Sequence, residues 1–573
     1  MADQADFPDI YIDSSVGAGG VGSEADPYSA FSEINWTTGG DNSVFDYYAG
    51  TPAASVTINL QKGEVWRDQP FVTGCNGTAT YPIIIQGYGA GDNPMLDGSI
   101  DVSTASYKWT ASGSGTNEYY LEASGGGTPG ISEPEQALID SVRCGDNDKT
   151  IPALGSLTDH SFAWGDNDTL GYSTVYIRDD SGNPDVTGAV IDVSNGARSY
   201  IFYLQHAYIT VDGVDTRYSN GHGYRFVGGA NGHHCVVKNC LAFYNEGGVG
   251  AYEGANDCEI NNVEIDGSIG GSIGAGGSYT EPVSRLLITG CEVHDAWWTW
   301  TGYWEASGIK TFAINDCTIT KSKWYNNPGG GIRLDGLSAI DIRGGANYCT
   351  VSENELYNNG YNQMEIEFSA NNTIKHNYFH DPAGGVSNFT ISKLISGGNK
   401  VFGNVSADAT NEHGFRTRTL AGTGGSNIFA NNTAYNCKMS YSASSPNAVF
   451  KNNISVGSIT ADLFFTDDQQ DTVTSDYNCF SGDGSTTVYD GKSFTTYTLA
   501  EWQEYSDGIG NPCDSNSIET DPLLSDAASD DYTLASNSPC IGAGENIGAP
   551  YNEALMPTST WPSGVVTGDQ NDY

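Results

Sequence analysis

Asn372–Tyr378 reads NTIKHNY, and Asn399–Val405 reads NKVFGNV. Each carries a β-branched anchor, Ile374 or Val401, and an asparagine three places later, Asn377 or Asn404. The same short pattern recurs as ITVDGVD, CVVKNCL, CEINNVE, LLITGCE, FAINDCT, CTVSENE, NIFANNT and AVFKNNI. The further anchors are Val211, Val237, Ile260, Ile288, Ile314, Val351, Phe429 and Phe450. Neighbouring anchors stand from 21 residues apart (Phe429 to Phe450) to 37 (Ile314 to Val351). A period of roughly two dozen residues, with β-branched anchors and Asn/Gly turns, predicts a stacked β solenoid.

The residue three after each anchor runs Val214, Cys240, Val263, Cys291, Cys317 and then Asn354, Asn377, Asn404, Asn432 and Asn453. Stacked asparagines at a turn can hydrogen-bond along the solenoid axis at the strand spacing of about 4.8 Å. Cys291 and Cys317 are expected to share one slot on adjacent rungs, and Cys235 and Cys258 another, two before their anchors. Buried thiols packed as small hydrophobes explain such stacking, and rung-to-rung disulfides would also fit the spacing. Cys479, Cys513 and Cys540 lie outside the repeat, where a tail disulfide is plausible.

Composition narrows the function. Seventy acids against 24 bases give a net charge of −46 over 573 residues. Such a surface repels phosphate backbones and anionic lipid, which argues against nucleic acid or membrane partners. No apolar run is long enough to span a bilayer. The start, MADQADFPDIYIDSS, shows no basic and then apolar leader, so either a leader has been removed or the protein leaves its cell by another route, of which release on a virion is one.

PDIYIDSSVGAGGVGSEADPYSAFSEINW, PIIIQGYGAGDNPMLDGS and DPLLSDAASDDYTLASNSPCIGAG complete the pattern. They resemble the leading strand and capping helix, the first rung and the closing segment of right-handed parallel β-helix proteins of the pectin-lyase-like superfamily. The resemblance covers most of the chain. It implies an all-β fold, a right-handed parallel β-helix with N- and C-terminal caps. Residues 106–195 break the period with alternating segments and Asn/Gly/Asp turns, which predicts an inserted antiparallel β subdomain. The expected organisation is a cap over 1–50 with a helix from about Tyr28 to Asn35, first rungs over 51–105, and the insert over 106–195. The main helix then spans 196–457, and a C-terminal cap with a helix in TLAEWQEYS spans 458–573.

Side chains alternate in and out along a strand. In GIRLDG, MEIEFS, SKLISG and GFRTRT this alternation directs Arg333, Asp335, Glu365, Glu367, Lys393, Arg416 and Arg418 outward, with Lys310 one rung earlier. A glycosidase needs two carboxylates astride the scissile bond. Glu365, Glu367 and Asp335 are the candidates. A lyase needs cations to neutralise a uronate and a base beside them; Lys310, Arg333, Arg416 and Arg418 are the candidates. A salt-bridged β surface is the alternative. His294-Asp295 and His380-Asp381 fall on turns at matching offsets, as a base with its orienter or as simple turn closures. The superfamily's clustered aspartate and histidine motif of pectin hydrolases is missing here, so the resemblance supplies no catalytic residue.

HDAWWTWTGYWEASG (294–308) leaves the solenoid beside this strip. Trp297, Trp298, Trp300, Tyr303 and Trp304, extended by Trp324 and Tyr325, suit a platform for sugar rings. They also suit a subunit contact or a self-packed loop. GDND occurs twice, and Asp146, Asp148, Asp166 and Asp168 are candidate calcium ligands or plain turn formers. The expectation is a polysaccharide depolymerase, lyase or hydrolase, outside the cell or on a virion surface. A non-catalytic tailspike or adhesin is the alternative. By resemblance to tailspikes a homotrimer is expected.

Overall fold

The computed structural model describes residues 9–551 apart from 40–41, 68–69, 104–106, 114, 123–133, 135, 146–154, 166–173, 195–199, 230–231, 298–305, 338–340, 385, 394–395, 419–425, 467–471 and 482–485. The chain divides into two compact units: Met1–Ile273 with Ala296–Ala306, and Gly274–Asp295 with Ser307–Tyr573. Each is a stretch of right-handed parallel β-helix, with three faces of short parallel strands. Among the described residues no helix is long and apolar enough to cross a membrane.

In the second unit the first face stacks Leu287–Thr289, Thr318–Thr320, Thr350–Ser352, Thr373–Lys375, Lys400–Phe402, Ile428–Ala430, Val449–Lys451 and Thr474–Asp476. The central residue of each strand points inward, so Ile288, Ile319, Val351, Ile374, Val401, Phe429 and Phe450 form one column. All are at most 2% exposed. Single residues in the left-handed region make the corners on either side. Two after the anchor stand Glu353, His376, Gly403, Asn431 and Asn452, with φ between 52° and 62°. Three before it stand Tyr348, Asn371, Gly398 and Asn447, with φ between 57° and 69°. Asparagine and glycine accept this conformation most readily, which is why they punctuate the repeat.

The residue after each corner turns inward, and there the asparagines ladder. From Asn377 through Asn404, Asn432 and Asn453 to Asn478, each Oδ1 accepts from the backbone N–H and Nδ2 of the asparagine one rung earlier, beginning with Asn354, at 2.9–3.1 Å. A second ladder, absent from the sequence reading, runs Cys349, Asn372, Asn399, Asn427 after the other corner. These buried amides satisfy corner backbone groups that would otherwise lack partners.

Two expectations are corrected. Ile314 is not in the anchor column; it belongs to a small separate sheet with Val283–Ser284 and Ala346–Asn347, and Ile319 takes the anchor place. Cys317 therefore lies two before Ile319, in the slot of Cys349 rather than that of Cys291. All twelve cysteines are buried and none forms a disulfide, the three in the tail included.

In the first unit the insert forms two four-stranded antiparallel sheets. One joins Val142–Arg143, Ala137–Ile139, Ile191–Ser194 and Ser99–Asp101, and the other joins Ser161–Gly165, Thr174–Arg178, Glu118–Glu122 and Lys108–Ala111. They enclose their own core, including Trp109, Phe162, Ile177 and Ile191. The expected helix near Tyr28–Asn35 is only a 3-10 turn, Phe31–Glu33; the α-helix comes later, at Val44–Ala49, capped by Ser43. Phe31 still covers the rung end, packed on Trp66 and Phe71 at 5.5 and 5.0 Å. At the other end Leu499–Gly508 is a helix with a Thr498/Glu501 capping box, and its buried Trp502 stacks on Phe465 at 5.0 Å.

Candidate functional site

The third face of the second unit carries the charged strip. Ile309–Phe312, Ile332–Leu334, Met364–Glu367, Phe389–Ser392, His413–Arg418 and Met439–Ser444 are its strands. Register aligns Lys310, Arg333, Glu365, Thr390, Arg416 and Ser442 in one outward row. Beside it, Glu367, Ser392, Arg418 and Ser444 form a second. Thr390 and Ser392 replace the expected Lys393: the strand is FTIS rather than SKLISG, and Lys393 lies just beyond it at φ 73°.

Opposite charges interlock here. The Arg333 guanidinium bonds Glu367, and its Nε lies 3.4 Å from Asp335. Lys393 approaches Glu367 at 3.3 Å, and Lys310 approaches Asp335 at 3.9 Å. Glu365 differs. It is 5% exposed, Ser392 Oγ donates to its Oε1 at 2.8 Å, and its Oε2 has no hydrogen-bond partner. Burial pushes its carboxyl above the usual range, against the pull of Arg333. Burial raises Asp335 likewise. Arg416 is lowered, by burial and then by Arg418; its Nη1 stands 3.9 Å from Glu412 and its Nε has no acceptor. His413 is pushed down to about 3 by burial and the cations beside it, which keeps it neutral.

Four successive positions of the row, Glu365 Oε2, Thr390 Oγ1, Arg416 Nε and Ser442 Oγ, thus hold a buried polar atom without a hydrogen-bond partner among the described residues. At the strand spacing they extend over about 14 Å. Orphaned polar atoms are costly, and a run of them on one face marks a surface completed by something else. Tyr361, whose ring lies 5.9 Å from the Arg333 guanidinium, borders the row. Thr390, Ser392, Ser442 and Tyr361 were missed in the sequence; only the alternation of FTIS could have signalled the first two.

The aromatic candidates separate. Trp324 is 0% exposed and points inward between Val293 and Leu356, so no sugar can reach it. Tyr325 points outward, but both its faces are covered, by His294 at 4.7 Å and Tyr357 at 4.9 Å. Its hydroxyl donates to Glu292. Trp297, in the first unit, is 42% exposed with Arg143 at 5.6 Å from its ring. Trp298, Trp300, Tyr303 and Trp304 lie outside the described residues, as do Asp146, Asp148, Asp166 and Asp168. The His-Asp pairs are real contacts, at 2.7 Å for His294–Asp295 and 2.8 Å for His380–Asp381. They sit on the remaining face, of strands Glu292–His294, Lys323–Tyr325, Glu355–Tyr357 and Tyr378–His380, in an outward stack of His294, Tyr325, Tyr357 and His380 apart from the strip.

Residues 335–476 match the family described as right handed beta helix region. No curated protein matches the chain. Among solved structures it is similar to the complex of XylC with xylose, at 11% identity and TM-score 0.39, over 90% of this chain and 82% of that one. It is also similar to the catalytic domain of GH87 alpha-1,3-glucanase in complex with nigerose, at 11% identity and TM-score 0.37, over 68% and 89%. A mutant of the periplasmic alginate epimerase AlgG aligns at 12% identity and TM-score 0.38, over 72% and 82%. These likenesses identify neither a substrate nor a catalytic residue for this chain.

Proposed function

We propose that the chain is a polysaccharide-degrading enzyme whose substrate lies along the Arg333–Ser442 row. The observation that carries this reading is the run of unpartnered polar atoms at Glu365, Thr390, Arg416 and Ser442. An extended, hydroxyl-rich polymer satisfies such a row rung by rung. Glu365 is the proton donor, because burial raises its carboxyl above the usual range and its Oε2 is uncommitted. Glu367, two residues along the same strand, is the second carboxylate, with its charge met by Arg333 and Lys393. Two carboxyls two residues apart on one strand face, one raised by burial and the other held in ion pairs, are the pair of groups glycoside hydrolysis needs. Arg416 and Arg418 give the row its affinity for acidic groups on the polymer.

A second reading, a non-catalytic glycan binder such as a tailspike or adhesin, is favoured by the ion pairs that already engage Glu367 and Asp335. The setting we propose is extracellular or on a virion surface, where polymeric glycan is met; a homotrimer belongs to the same proposal and is read by light scattering. The functional test is incubation with acidic and neutral polysaccharides. New reducing ends without unsaturated uronate absorbance support hydrolysis. Unsaturated uronate moves the chemistry to elimination, and binding without product leaves the adhesin.

A further inference from the structure

Arg225 lies on the third face of the first unit, in the strand His222–Val227. Tyr224 and Phe226 on either side are 0% exposed, so Arg225 points outward. Its guanidinium is held between two rings, with Cζ 4.4 Å from the centroid of Tyr200 and 4.7 Å from that of Tyr252. Nη1 donates to the Tyr200 hydroxyl at 2.7 Å. Nε is buried and has no acceptor.

This guanidinium makes no ion pair among the described residues, although Glu246 acts electrostatically on Tyr252 beside it. Arg67, Arg178 and Arg217 of the same unit each hold an aspartate within 2.8 Å. Arg225 has no carboxylate at ion-pair distance among the described residues, in a chain with 70 acids and 24 bases. The flanking stretches 195–199 and 230–231 read NGARS and AN, and bring no acid by sequence. Cation–π contact stabilises a guanidinium but leaves its in-plane donors free for an anion.

The floor around it is cleared. Gly250 is in register with Arg225, and Gly247 with His222. A Cβ on Gly250 would stand 2.7 Å from both His222 Cδ2 and Tyr252 Cε2, so any side chain there would displace these rings. His222 is pushed down to about 3 by burial and Arg225, and its neutral Nε2 meets the Tyr252 hydroxyl at 3.2 Å. It therefore adds no second charge. Tyr203, in register with Arg225 on the preceding rung, is half-buried and stacks on Tyr200 at 5.3 Å. Its other face contacts no ring among the described residues.

We propose that Arg225, with Tyr200, Tyr203 and Tyr252, is a second saccharide subsite, which takes the carboxylate or sulfate of an acidic sugar on the guanidinium and its ring against Tyr203. This goes beyond the catalytic reading and does not depend on the Arg333–Ser442 row. An ordered cation without an ion-pair partner among the described residues, in an otherwise acidic protein, selects an anion, and the tyrosines select a ring-bearing one.

Calorimetry on the full chain at low salt tests it with three probes: a galacturonate hexasaccharide, a chondroitin sulfate hexasaccharide and a neutral maltohexaose. The wild type should bind at least one acidic probe about tenfold or more tighter than the neutral one. In an Arg416→Gln/Arg418→Gln background, which removes the cations of the other row, Arg225→Gln should abolish the remaining preference, and Arg225→Lys should retain part of it. Tyr203→Ala, a half-buried substitution, should weaken all oligosaccharides while the acidic preference stays. Which acidic probe binds separates carboxylate from sulfate. Competition by inorganic sulfate at the oligosaccharide's own affinity would make this a plain anion site and overturn the saccharide assignment. Arg225→Gln with an unchanged melting temperature and unchanged acidic binding would overturn the whole proposal. If Arg225→Gln fails to fold, Arg225→Lys at wild-type affinity together with no effect of Tyr203→Ala would do the same.

Discussion

Asn404→Ala should be among the most damaging single changes in the second unit. The side chain is 0% exposed. Its Nδ2 donates to Ile374 O, Phe402 O and Asn432 Oδ1, at 3.0, 3.1 and 3.0 Å. Its Oδ1 accepts from Asn377 N and Nδ2, at 2.9 and 3.0 Å. Alanine removes all five contacts. Asn377 Nδ2 keeps Val351 O and Lys375 O, and Phe402 O keeps the His376 N–H. The Asn377 backbone N–H is left without an acceptor, at a cost of about 1–3 kcal/mol, and two or three net bonds at about 1 kcal/mol each go with it. The sum is about 3–6 kcal/mol. Lys400→Ala, exposed on the same rung, should stay within about 0.5 kcal/mol. Amide exchange reads this locally, without requiring the whole solenoid to unfold reversibly. Amides between Ile374 and Asn432 should exchange about 100-fold or more faster in Asn404→Ala and near the wild-type rate in Lys400→Ala. An acceleration below about tenfold in Asn404→Ala, or equal effects of the two changes, would refute the ladder as a stabilising element.

Trp324→Ala should cost about 3–5 kcal/mol through the cavity it opens, and in whatever fraction stays folded it should leave glycan affinity unchanged; the reverse pattern would restore it as a binding residue. Ellman's reagent should find almost no fast-reacting thiol in the native chain and twelve after denaturation without reductant, because every cysteine is buried and none is in a disulfide. Glu365 has its folded pKa raised, so the folded state holds the proton more tightly than the unfolded one. Stability is therefore lost as pH rises from the unfolded value of about 4.3 through the folded one, and then levels off. Glu365→Gln should match the wild-type melting temperature in acid and exceed it above that window, while wild-type turnover falls as pH rises through the same folded value. A wild-type melting curve that gains on Glu365→Gln with rising pH would contradict the burial argument.

Much of the fold was legible because a solenoid repeats its instructions. Anchors such as Val351, Ile374 and Val401 announce themselves by β-branching, and the asparagine three later is the one residue that both follows a tight corner and satisfies it. The same grammar explains the slip at Ile314. Asp316, two after it, is also a left-handed corner, with φ 54°, and Cys317 follows it inward. The small sheet before the anchor thus mimics an anchor rung, and sequence alone carries no second signal to rank them. The site was legible where alternation was clean: Arg333, Glu365, Glu367 and Arg416 face outward as read. Lys393 was misplaced because SKLISG looks more strand-like than FTIS, whose Thr390 and Ser392 present short side chains to the row. Trp324 was misjudged on composition, although Lys323 and Tyr325 on either side already placed it inward by parity. Arg225 left no trace in the sequence, because its partners Tyr200, Tyr203 and Tyr252 come from the rungs on either side of its own.

The central claim is that Glu365 supplies the proton for cleavage of a polysaccharide on this row. The most direct measurement compares product release from the polymer that the wild type degrades with release by Glu365→Gln, alongside both melting temperatures and both polymer affinities. The account predicts a loss of about 100- to 10,000-fold in turnover, with affinity and folding retained. Turnover within a few-fold of wild type in folded Glu365→Gln would contradict it.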